Sequence, residues 1–127
     1  MKTILVGAIN AFVIKEEGIF QEMYKILEEY PNRKIILTGA NDEQMEKYGL
    51  NDMPYEVFTL KHDPEKTDPR YYNTMLKHFN LNVKDVVYFE NDEKAVKSAQ
   101  FVGIKAFHYD KDKRDLIALK KFIDENL

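Results

Sequence analysis

Short apolar runs and amphipathic stretches alternate along the whole chain. Ile4–Ala8 is continuously apolar, the pattern of a strand covered on both faces. Phe20, Met23, Tyr24 and Leu27 follow at i, i+3, i+4, i+7, one stripe of a helix, and Pro31-Asn32 stops it. Lys34–Thr38 predicts a second strand. Asn41 caps a short helix predicted over Asp42–Tyr48, with Gly49 as its stop. Glu56–Leu60 predicts a third strand and Lys61–Thr67 a polar loop. Asp68-Pro69 is a cap followed by proline at the first helical position, and Tyr72, Met75, Leu76 and Phe79 then supply a buried stripe. Asp85–Phe89 predicts strand four, Asp92–Val102 a helix ended by Gly103, and Ile104–His108 strand five. Leu116, Leu119 and Ile123 mark a last helix.

Five strands alternating with five helices predict an α/β fold, one parallel sheet with helices on both faces. Ligands in such folds sit beyond the carboxyl ends of the strands. The segments to search for chemistry are therefore Gly7–Phe12, Thr38–Asn41, Lys61–Thr67, Glu90–Asp92 and Tyr109–Lys111. The 127 residues fit one domain, and no internal repeat or linker divides them.

Composition narrows the function classes. A net charge of -3 supplies no electrostatic footprint for nucleic acid or an anionic membrane, and no apolar run has the length of a membrane span. The lack of cysteine removes disulfide and thiolate chemistry and fits a reducing, cytoplasmic setting. Lys2 followed by Thr3–Ile14 has the order of a signal peptide's charged and apolar regions. Strand one is the preferred reading, because Asn10 interrupts the run and the sheet needs that strand. His62, His78 and His108 lack the spacing of zinc ligands. Lys15-Glu16-Glu17 and Lys111–Arg114 read as solvated surface, and the aromatic stripe Phe20, Tyr24, Tyr72, Phe79 as core.

The strand ends carry a further pattern. "ILVGAINAFV" (Ile4–Val13), "KIILTGAN" (Lys34–Asn41), "EKTDPRYY" (Glu65–Tyr72) and "VVYFENDEKAVKSAQFVGIKAF" (Val86–Phe107) fall in order along nearly the whole chain. Together they resemble the four motifs of the haloacid dehalogenase superfamily of phosphohydrolases. In that family strand one ends in a motif of the type D-x-D-N-T-L-V. Asn10, Ala11, Phe12 and Val13 match its second half, Gly7 falls on the nucleophile and Ile9 on the acid/base. A shift of one residue puts Ala8 and Asn10 there instead, and neither register supplies an aspartate. Thr38 with Gly39 matches the second motif, and Lys66 the third. Glu90 and Asn91 fall on the two acidic positions of the fourth, so one charge remains.

The resemblance implies a three-layer α/β/α sandwich with a five-stranded Rossmann-like sheet of order 5-4-1-2-3. Only Ile14–Gly18 separates the first motif from the first helix, so no cap domain fits at that point. It also implies a phosphate or phosphoester ligand, held by Thr38, Gly39 and Lys66. In the family an aspartate attacks phosphorus, and a second one protonates the leaving group and then activates water. Mg²⁺ sits on the nucleophile, a backbone carbonyl and a fourth-motif acid. Gly7 has no atom to attack with and Ile9 cannot carry a proton, so no catalytic residue of that pair is intact. Glu90 is left as a metal-facing acid, with Asn91 beside it, which makes a weak Mg²⁺ site.

The expected function is thus a catalytically impaired phosphatase homologue acting as a binding module. Two other readings stand beside it: an active Mg²⁺-dependent phosphohydrolase that uses Glu90 to direct water, and a receiver-like signalling domain. Structural roles stay open too. Thr38 suits a strand-to-loop turn as well as an anion, and Asn91 or Asp92 suits the cap of the next helix.

Overall fold

The computed structural model describes residues 1–127. In chain order it contains β1 (Thr3–Gly7), β2 (Val13–Ile14), β3 (Gly18–Ile19), α1 (Gln21–Glu28), β4 (Lys34–Thr38), α2 (Asp42–Lys47) and β5 (Glu56–Thr59). These are followed by α3 (Pro69–Phe79), a single 3-10 turn (Val83–Asp85), β6 (Val86–Glu90), α4 (Glu93–Phe101), β7 (Lys105–His108) and α5 (Leu116–Asn126). Five strands make one sheet in the order β5-β4-β1-β6-β7, with every neighbouring pair parallel. Numbered among themselves from the β7 edge, they run 5-4-1-2-3, as expected. A receiver-type sheet places its first strand between the second and third. Here β1 lies between the second and fourth, so the arrangement is not that one.

Burial on both faces explains why β1, β4 and β6 read as unbroken apolar runs: all of their residues are buried. One face packs Ile4, Val6, Ile36, Val87 and Phe89 against α1 (Met23, Leu27) and α5 (Leu119, Ile123). The other packs Leu5, Ile35, Leu37 and Tyr88 against α3 (Tyr71, Tyr72, Met75) and Ala99 of α4. Thr3–Gly7 is thus the central strand of the sheet, and no helix is long and apolar enough to cross a membrane.

The caps fall where the sequence puts them. Asp68 accepts from Arg70 N–H with Pro69 behind it, and Asp92 accepts from Lys94 and Ala95 N–H. Asn41 forms a reciprocal box with Gln44, at 2.9 and 3.0 Å. Asn41→Ala is expected to cost about 1 kcal/mol of stability, read from denaturant midpoints.

Several element ends shift by one residue, β5 stopping at Thr59 and β7 beginning at Lys105 among them, and one element is unexpected. β6 begins after the 3-10 turn and runs through Glu90, one residue beyond the strand predicted over Asp85–Phe89. A small antiparallel hairpin, β2–β3, also stands between β1 and α1. Its strands are two residues long, too short for any period to show, and Glu16 and Gly18 turn it with φ of 69° and 87°.

Candidate functional site

The chain leaves β1 for β4 on one side and later returns to β6 on the other. The carboxyl ends of β1 and β6 therefore flank the switch point at which α/β sheets hold ligands. A cavity of about 490 Å³ lies at this end of the sheet, and Ile9, Thr38, Gly39, Lys66, Glu90 and Asn91 all line it. The sequence-predicted positions are thus brought together. Gly7 is not among the residues that line it.

After β1 the chain turns tightly: Phe12 N–H donates to Gly7 O (3.1 Å) and Val13 N–H to Ala8 O (2.9 Å). Ala8, Ala11, Phe12 and Val13 are buried in the core, which is why the stretch carries no charge. Ile9 packs against the same core while facing the cavity.

Gly7 and Glu90 lie on the same face of adjacent strands, since Val6 pairs with Phe89. Glu90 is 3% exposed, and its Oε1 accepts a hydrogen bond from the Tyr88 hydroxyl at 2.6 Å and forms an ion pair with Lys66. Its Oε2 accepts from Asp92 N–H at 3.0 Å. Lys66 also donates to Leu37 O at 3.0 Å. The lysine therefore reaches from the loop after β5, across β4 and β1, to an acid on β6, passing over Gly7. A Cβ on residue 7 would meet Phe89 O at 2.9 Å, Glu90 Cα at 3.1 Å and Glu90 Oε1 at 3.1 Å. The bare Cα of Gly7 leaves the space that Glu90 Oε1 approaches.

Beneath the pair, Tyr72 and Tyr88 hydroxyls stand 3.3 Å apart, and Tyr71 donates to Thr38 O at 2.7 Å. Burial pushes the Tyr88 phenol far up and the Glu90 charge adds to the rise, so Tyr88 stays a donor to Glu90. Burial likewise raises Tyr72 and Tyr71.

Thr38 is buried, and its hydroxyl oxygen accepts from Ala40 N–H at 3.1 Å. The turn role is filled, and the hydroxyl proton is left to donate into the cavity. The Gly39 N–H has no acceptor in the protein. His62, Lys15, Glu65 and Gln44 line the cavity as well. The His62 ring stands on the bare Cα of Gly39, where an added Cβ would lie 3.4 Å from Nδ1. Its nitrogens are 2.9 Å from Glu65 Oε2 and 2.6 Å from Gln44 Oε1. That Gln44 oxygen also accepts from Asn41 N–H, so His62 Nε2 is the donor of its bond. These side chains were not picked out from the sequence. Lys15 reads there as plain surface and is carried to the rim by the unforeseen hairpin. His62 lies in the Lys61–Thr67 loop, one of the segments expected to carry chemistry, although its spacing from His78 and His108 points to no metal role.

The fourth-motif residues do not fit Mg²⁺ as arranged. Both Glu90 oxygens are engaged by donors, one of them a cation. Asn91 Oδ1 turns away to accept from Lys111 N–H at 3.0 Å, and its carbonyl is bonded by His108 Nε2 at 2.8 Å. No cluster of three or more His, Cys, Asp or Glu side chains is positioned to share an ion. Asp92 caps α4.

No family model matches the sequence, and no curated protein matches it. Among solved structures, the chain is similar to the crystal structure of an uncharacterized protein from Corynebacterium glutamicum. The TM-score is 0.62 at 13% identity, over 98% of this chain and 96% of that one. The likeness is one of fold across the full length of both.

Proposed function

We propose that this chain is a haloacid dehalogenase-like scaffold without hydrolytic chemistry, whose larger cavity binds a phosphate or phosphoester without turning it over. The observation that carries the reading is the crowding over residue 7. Any side chain there collides with the Phe89 carbonyl and with Glu90. The lost nucleophile is therefore not a single replaced residue in an otherwise intact site. The space has been given to a lysine–glutamate pair. Ile9, at the acid/base position, offers no proton.

Binding is supported by the donors that converge on the cavity: the Thr38 hydroxyl, the Gly39 N–H and Lys15 at the rim. Lys66 joins them when an anion competes with Glu90 for its ammonium group. No step is routed through Mg²⁺, since the donor set does not suit it.

The chain is expected to release no p-nitrophenol from p-nitrophenyl phosphate above the blank, with or without Mg²⁺. Inorganic phosphate is expected to shift the backbone amide signals of Thr38–Ala40. Glu90→Gln removes the competing charge and should tighten that binding by about tenfold or more, the worth of one hydrogen bond to a charged group. Turnover in the parent that vanishes in Glu90→Gln would instead establish the alternative, water directed by Glu90.

A further inference from the structure

A second cavity, of about 190 Å³, shares Asn10 with the first and opens between the β1 turn and the loop after β7. Tyr109, Lys111, Asp112, Arg114 and Phe20 also line it. Tyr109 is 2% exposed. The hydroxyls of Tyr30, Tyr55, Tyr71, Tyr72 and Tyr88 bond inside the protein, and that of Tyr109 does not. No fully enclosed side-chain polar atom lacks a partner. The Tyr109 hydroxyl, unpartnered in the protein, is therefore not fully enclosed, and Tyr109 lines this cavity. Burial pushes its phenol up, the Arg114 charge opposes that, and Asp110 adds to the rise, so it remains a hydrogen-bond donor at neutral pH.

The cations around it are uncommitted. Neither Lys111 nor Arg114 has a carboxylate within ion-pair distance. The Arg114 guanidinium lies over the Phe20 ring at 5.3 Å, which fixes where its charge sits. The loop is also held from within. Asp110 Oδ1 accepts from Asp112 N–H at 2.8 Å and Lys113 N–H at 3.3 Å, and Arg114 N–H donates to Asp110 O at 3.0 Å. Asn91 Oδ1 holds Lys111 N–H from the β6 side. Lys111, Arg114 and Asp112 line the cavity around a single buried donor, with the Asp110 carboxylate nearby but engaged by the Asp112 and Lys113 N–H groups.

We propose that this cavity is a second oxyanion site, in which a phosphate, sulfate or carboxylate group accepts from the Tyr109 hydroxyl between Arg114 and Lys111. The volume of 190 Å³ leaves room for one such group and a short attached chain. The preformed loop keeps the cost of ordering low. Nothing in this site depends on the phosphate reading of the larger cavity.

The test follows backbone amide signals of the intact chain at low ionic strength while inorganic phosphate, sulfate or acetate is added. Saturable shifts at Lys111–Arg114 are expected with at least one of the three. Acetate alone would identify a carboxylate site, and phosphate or sulfate a tetrahedral one. Tyr109→Phe removes one oxygen atom at the exposed tip and should weaken the response about tenfold. Arg114→Gln should do the same, and added sodium chloride should weaken it further. Absence of saturable shifts at Lys111–Arg114 with all three anions overturns the proposal. So does an affinity unchanged in both variants. Shifts at Thr38–Ala40 alone would leave the first cavity's reading standing and remove this one, and the converse pattern would do the opposite.

Discussion

Gly7→Asp is expected to destabilise the protein strongly rather than give it a nucleophile. On the proposed reading, an aspartate at residue 7 would be the direct route to phosphatase activity, and the geometry opposes it. The first atom added, Cβ, lands 2.9 Å from a main-chain oxygen of β6, which cannot swing aside without disturbing the central pairing of the sheet. Overpacking of this kind costs about 1–3 kcal/mol. The new carboxylate would then sit beside Glu90, a second anion where one lysine serves both. Crowding two like charges at a buried site adds several kcal/mol more, on the order of the desolvation of one ion. A total of about 4 kcal/mol or more is a large share of the roughly 5–15 kcal/mol that holds a domain together.

Denaturant midpoints read the effect directly. Gly7→Ala should show the steric part alone. Glu90→Asp, one methylene shorter, should restore part of the stability of Gly7→Asp, because it draws the carboxyl away from the clash. Combined with Ile9→Asp, that triple variant is the one with a chance of turnover. A Gly7→Asp protein as stable as the parent would show that β6 yields easily, and the case for a site closed by design would fall.

Period and capping made most of the scaffold legible. The bounds of β4 and the caps at Asn41 and Asp68 coincide with those read from residue types, because each rests on local chemistry that tertiary packing reinforces; of Asn91 and Asp92, both suited to cap α4, Asp92 takes the role. The hairpin was not legible, since two-residue strands are fixed by turn geometry rather than by pattern. For the site, the rule that ligands gather beyond strand carboxyl ends brought Thr38, Gly39, Lys66, Glu90 and Asn91 to one cavity. What each then does depends on reach across strands, which spacing along the chain does not encode. Lys66 meets Glu90 only because β5, β4, β1 and β6 lie side by side in that order. Asn91 points to the β7 loop because successive strand-end residues face opposite ways, so it tethers Lys111 while Glu90 faces the cavity. The same alternation sets Tyr88 under Glu90, a support visible in the sequence "VYFE" only once the acid is known to be buried.

Lys66→Met should be the other costly change, by about 3–5 kcal/mol, since it leaves the Glu90 carboxylate buried with no counter-charge. The Tyr88 hydroxyl and Asp92 N–H would remain as its only donors. Glu90→Leu alone should also destabilise, by stranding the lysine and the Tyr88 hydroxyl. The informative protein is the double variant, Lys66→Met with Glu90→Leu. Replacing both ends of a buried pair by apolar groups of similar volume is often close to neutral, so the double variant should be more stable than either single one. The coupling energy from that cycle measures how tightly the pair is held. It bears on function because a ligand anion must draw Lys66 from Glu90 before it can use the lysine. A coupling of several kcal/mol means that only a multiply charged group, making several bonds at once, can open the pair. A coupling near zero would mean that Lys66 moves freely between Glu90 and the cavity, and phosphate should then bind the parent as tightly as Glu90→Gln.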